Sequence, residues 1–113
     1  MGIFGQSNTY AINEIHRNIG DINHHLQKID NSISQYNDIC LENANEISES
    51  FLKILEIQQA VQPLLNSLSD KEQAKMTLCW MDGRYLPLHM WNASYQLFLT
   101  QIKNGILKLE HLL

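Results

Sequence analysis

A chain of 113 residues with a formal net charge of -4 has room for one modest domain, and an apolar content of 44% is enough to give that domain a core. Only 18% of residues are charged and only two, Arg17 and Arg84, are arginines, so no direct nucleic-acid partner is expected. No run approaches the roughly 20 apolar residues of a membrane span.

The opening residues, Met1 to Gln6, lack the basic and apolar regions of a secretory signal. Cys40 and Cys79 are far apart and form no C-x-x-C pair, which argues against a zinc site or a disulfide framework. Together these features predict a cytoplasmic chain with two reduced thiols.

The first predicted element carries the strongest pattern. Ile12, Ile15, Ile19, Ile22, Leu26, Ile29, Ile33, Tyr36 and Cys40 follow one another at alternating intervals of three and four. Sustained for about four heptads, that spacing is the seam of a coiled coil. Isoleucine at both core positions favours higher-order bundles over parallel dimers, and the flanking positions carry too little charge to choose a partner. The seam from Ile12 to Tyr36 is therefore read as an oligomerisation surface, with a second copy or another helical protein as the partner.

Beyond Cys40 the core positions continue through Ala44, Ile47, Phe51 and Ile54 after a four-residue stutter. One long helix over 9–62 is expected. A break near 37–41, at the turn-prone pair Asn37-Asp38, is the alternative. From Phe51 onward the apolar face widens with Leu52, Leu55, Ile57, Val61, Leu64 and Leu65, as a bundle requires.

Pro63 should end or kink this helix. Ser69-Asp70-Lys71-Glu72 reads as a capping box opening a short helix to about Met81, and Asp82-Gly83 as a turn. Pro87 suits the first turn of a final helix reaching about His111, with Trp91, Tyr95, Phe98, Ile102, Ile106, Leu109 and Leu113 on one face. Gly105 is a weak point inside it. The sequence thus predicts an all-α fold in a single domain, 1–113: a long N-terminal heptad helix and a C-terminal helical body over 63–113 with a turn at 82–86, three to four helices in all.

Three groups of residues could carry a function. His16, Asp21, His24 and His25 lie near one another on the first helix, and Asp21 and His25 share a face at i, i+4. No second pair completes a metal shell, so a metal- or ligand-binding bundle is only an alternative, and no metal or other cofactor is expected.

Arg17-Asn18 followed by His24, with Arg84 and His89 repeating the theme, form a second group. These residues resemble the active-site motif of HEPN ribonucleases, small four-helix proteins. The resemblance implies arginine and histidine assisting attack by an RNA 2′-hydroxyl. It covers only these residues; the first copy lies early in the chain, and Pro87 interrupts the second.

The third group is a cluster around the turn, Trp80, Met81, Arg84, Tyr85, Met90 and Trp91, which holds both tryptophans. Aromatic residues dominate interface hot spots and methionine moulds to a partner, so these six are the candidate partner-binding residues. The competing reading is that they plug the end of the bundle. No glycine-rich phosphate loop, Ser/His/Asp set or paired catalytic carboxylates appears, and no small-molecule substrate or catalytic residue is expected. The function read from the sequence is a non-enzymatic protein–protein interaction or oligomerisation module.

Overall fold

The computed structural model describes the backbone of residues 2–113 and the side chains of residues 9–113, so the side chains of the opening segment read for targeting signals lie outside the described residues. Among the described residues the fold is predominantly α-helical, with four helices and one small hairpin: α1 (Gly2–Tyr36), α2 (Ala44–Asn66), α3 (Asp70–Ala74), β1 (Thr77–Cys79), β2 (Tyr85–Pro87) and α4 (Leu88–Leu112). The molecule is elongated, 58 × 23 × 18 Å. No helix among the described residues is long and apolar enough to cross a membrane.

The continuous helix expected over 9–62 is instead two helices, broken at Asn37-Asp38. Asn37 adopts the left-handed conformation, with φ of 62°, which a short amide side chain tolerates at a helix C-terminus. The Asp38 carboxylate then accepts the Ile39 N–H at 2.8 Å. The buried Asn43 clamps the turn. Its Oδ1 accepts the Cys40 N–H at 2.7 Å, and its Nδ2 donates to the Asp38 carbonyl at 3.1 Å and the Ser32 carbonyl at 3.3 Å. Local hydrogen bonds to Asn and Asp outweigh helix continuity here.

The turn folds α2 back along α1 and covers the heptad seam from within the same chain. Ile15, Ile19, Ile22, Leu26 and Ile29 are buried with Ile47, Ile54 and Val61 of α2, while Ile12 and Ile33 are half-buried and Tyr36 is exposed. The argument that a wet seam demands a second chain therefore does not apply to its centre.

Pro63 lies inside α2 and does not end it; the helix runs three residues further. The Gln59 carbonyl, which would have accepted the missing N–H, belongs to an exposed residue, where water can satisfy it. The Ser67 N–H closes the helix on the Pro63 and Leu64 carbonyls.

The capping box forms as read: Ser69 Oγ accepts the Glu72 N–H at 3.1 Å, and the Glu72 carboxylate accepts the Ser69 N–H at 2.9 Å. The helix it opens stops at Ala74 rather than near Met81. Residues 76–80 alternate instead, with Met76, Leu78 and Trp80 buried and Thr77 and Cys79 turned outward. That period of two makes a strand, paired antiparallel with β2 in the register Thr77–Pro87, Leu78–Leu86 and Cys79–Tyr85.

Residues 80–84 connect the strands, with Met81, Asp82 and Gly83 looping between the hydrogen-bonded Trp80 and Arg84. The Gly83 N–H donates to the Trp80 carbonyl at 2.8 Å, Gly83 takes φ of 92°, and the Trp80 N–H donates to the Arg84 carbonyl at 2.7 Å. Only glycine adopts that conformation without cost. Pro87 precedes α4 rather than lying in its first turn, and the Leu88 N–H ties back to the Met76 carbonyl at 3.0 Å. Further along α4, Gly105 faces Ile39; a Cβ there would overlap the Ile39 Cδ1, so this glycine lets α4 approach the α1–α2 turn closely.

Candidate functional site

The six residues singled out around the turn divide into two sets. Trp80 and Trp91 are core residues, 7% and 3% exposed. Their rings meet edge to face with centroids 5.9 Å apart; Trp80 also meets Phe98, and Trp91 stacks on Tyr95 at 4.9 Å. The Trp91 indole N–H donates to the Cys79 carbonyl at 2.8 Å, and the Tyr95 hydroxyl donates to Gln58 Oε1 at 2.5 Å. Burial pushes the Tyr95 phenol pKa well above its usual range, so this hydroxyl is a fixed donor. These aromatics join the hairpin to α2 and α4.

The second set faces out. Tyr85 is 67% exposed, Met90 and Arg84 are exposed and Met81 is half-buried. Arg84 is held by Asp82: the guanidinium Nε donates to the carboxylate at 2.7 Å and the Arg84 N–H at 3.1 Å. The bond from the Arg84 main chain, with the guanidinium adding to it, keeps the Asp82 carboxyl below its usual pKa range. Arg84 thus braces the turn.

Tyr85, Met81 and Trp80 form one side of an open groove between the hairpin and α1, with a volume of about 710 Å³. Cys79, beside Tyr85 across the ladder, and Thr77 continue that wall along β1. The opposite wall is a single face of α1, with His16, Ile19, Gly20 and Asn23 at helical spacing. A shallower groove of about 330 Å³ shares His16 and Thr77 and extends the furrow toward Ile12 and Lys75.

Two details distinguish this groove. Gly20 is an exposed glycine in mid-helix, and a Cβ added there would meet nothing within 4 Å. It lowers helix stability by roughly 1 kcal/mol relative to alanine, and no packing within the chain requires it. Three residues on, Asn23 donates through Nδ2 to the Cys79 carbonyl at 2.7 Å, while its Oδ1 is hidden from solvent without a hydrogen-bond partner among the described residues. An orphaned amide oxygen is costly when buried.

Main-chain groups contribute as well. The ladder pairs Leu78 with Leu86 through hydrogen bonds, flanked by the Trp80–Arg84 and Leu88–Met76 bonds, so the groups of Thr77 and Cys79 point away from β2. The Cys79 carbonyl is taken by Asn23 and Trp91. The cysteines are both free thiols and only partly buried, and Cys79 Sγ donates to the Trp80 carbonyl at 3.3 Å.

The groups read for chemistry stand apart from this groove, His16 excepted. Arg17 is engaged by two carboxylates on its own helix, Glu14 at 2.7 Å and Asp21 at 3.7 Å. Its hydrogen bond holds the Glu14 carboxyl below the usual range. His24 is exposed and meets the ring of His25 edge to face, and Arg84 and His89 belong to different elements, hairpin and α4. Among the described residues no group of three or more His, Cys, Asp or Glu side chains is placed to hold a metal ion.

Comparison of the chain with protein-family models, with curated proteins and with solved structures finds no match.

The groove's α1 wall escaped the sequence reading because Gly20 and Asn23 carry no motif. The available signal was a glycine in the middle of a seam that needs none.

Proposed function

We propose that this chain is a non-enzymatic protein–protein interaction module that receives an extended segment of a partner protein in the groove between α1 and the hairpin. The observation that carries this reading is the open space over Gly20 in the α1 wall of the groove. A segment lying in the furrow would fill that space. Tyr85 and Met81 offer it apolar surface, and the outward main-chain groups of Thr77 offer hydrogen bonds. The cytoplasm, where both thiols stay reduced, is the compartment this reading favours.

Gly20→Leu tests it. Leucine is the better helix former by roughly 0.5–1 kcal/mol, so the variant should melt no lower than the parent while its side chain blocks the groove. Partners captured from lysate and identified by mass spectrometry should be lost with Gly20→Leu and with Tyr85→Ala, and kept with Leu97→Ser, an exposed change on α4. An identical set of proteins on all four baits would remove the groove from consideration.

A further inference from the structure

A second apolar groove lies on another side of the molecule, between α2 and α4, with a volume of about 230 Å³. Phe51 and Leu52 of α2 and Ile106 and Leu107 of α4 line it, and Leu52 and Leu107 are 65% and 51% exposed although both are large aliphatic side chains. Exposed leucines facing one another across a groove differ from apolar residues scattered singly over a surface.

The charges at its rim identify the occupant. Lys103 and Glu110 both line the groove and lie seven residues apart on α4, two turns or roughly 10 Å along one face. Leu107 sits between them on that face, four residues after Lys103 and three before Glu110. Among the described residues neither Lys103 nor Glu110 has an ion-pair partner; the nearby Lys108 is the one that pairs with Asp38. No charged residue of α2 lines the groove, so its surface is neutral on a chain of net charge -4.

A stripe reading Lys, apolar, apolar, Glu is complementary to itself when reversed. Laid antiparallel against a second copy, Lys103 meets the partner's Glu110 and Glu110 meets the partner's Lys103. Leu107 and Ile106 then face their counterparts across the axis. This is the self-complementarity that a two-fold interface requires, with one patch serving both sides.

We propose that two copies of this chain associate through the α2–α4 groove, with their α4 helices antiparallel about a two-fold axis near Ile106 and Leu107. This surface is distinct from the heptad seam, which is closed within each chain, and from the α1–hairpin groove, which stays open in the dimer. Two turns of helix bury a small area, so the dimer is a weak one that fills as concentration rises.

Sedimentation equilibrium of the full chain, from low micromolar to several hundred micromolar, should show a monomer–dimer equilibrium. Leu107→Asp, at an exposed position that leaves the helical circular dichroism unchanged, should weaken it about thirtyfold or more. Lys103→Glu and Glu110→Lys should each weaken it, and the double variant Lys103→Glu/Glu110→Lys should restore it, because the reversed pair is again complementary. A monomer throughout the range overturns the proposal, as does a dimer indifferent to Leu107→Asp. A dimer that Leu107→Asp dissociates but charge reversal leaves untouched overturns the antiparallel pairing. If the parent stays monomeric, another protein is the occupant to seek.

Discussion

Replacing Asn43 by alanine should cost this small protein a large share of its stability, and the size of the effect follows from three bonds. The side chain is 2% exposed and bridges two carbonyls and one N–H across the α1–α2 turn. Alanine removes all three bonds. The Cys40 N–H loses its partner at 2.7 Å, and an unsatisfied buried donor costs about 1–3 kcal/mol. The Asp38 and Ser32 carbonyls lose longer bonds, each contributing about 0.5–1 kcal/mol net. The sum is roughly 2–5 kcal/mol, or a fall in Tm of roughly 8–20 °C for a chain of this size. Differential scanning calorimetry at neutral pH measures it, with the exposed Asn45→Ala as the control. A drop for Asn43→Ala no larger than that of the control would refute the reasoning, since the turn would then hold without its clamp.

Ile22→Asp should unfold the chain, because it places a carboxylate without a partner at a position 2% exposed, whereas His24→Asp two residues on should be nearly silent; equal effects on the melt would contradict the register of α1. His25 makes stability depend on pH. Its pKa is depressed below 6.5, first by burial and then by His24, Lys53 and Lys28, with Asp21 opposing, and its Nδ1 has no partner among the described residues. The unfolded chain then binds a proton more readily than the folded one, so this stabilisation is present above pH 6.5 and lost as pH falls through the folded-state pKa. Tm should decline on the acid side and decline less in His25→Gln; identical pH profiles would exclude His25 as the cause.

The seam, the capping box and the turn at Asp82-Gly83 were legible because each is a local pattern with a local cause. Heptad spacing showed which face of α1 is buried, since that depends on period alone. It did not show what buries it, because a seam covered by its own chain and one covered by another look the same in a single sequence. The break at Asn37-Asp38 turned on Asn43, a buried polar residue whose partners lie up to eleven positions back. The hairpin was hidden for a different reason. A three-residue strand is too short for a clear signal, and the alternation of Met76, Leu78 and Trp80 is visible only once the capping box is not extended into a longer helix. Around the turn, residue type could not separate the exposed Tyr85 and half-buried Met81 from the buried tryptophans, because the chemistry that suits a partner's surface also suits a core. Gly20 and Asn23 acquire meaning only from the space beside one and the missing bond of the other.

The pairing of Trp80 with Trp91 gives the molecule an optical probe of its own. The chain has two tryptophans, and both sit in one edge-to-face contact where the hairpin docks on α4, with Tyr95 stacked beneath. Their fluorescence therefore reports a single event, the seating of the hairpin, while the far-ultraviolet dichroism is dominated by α1, α2 and α4. Recorded side by side during denaturation, the two signals read directly whether the α1–α2 pair and the hairpin come apart as one cooperative unit or in sequence.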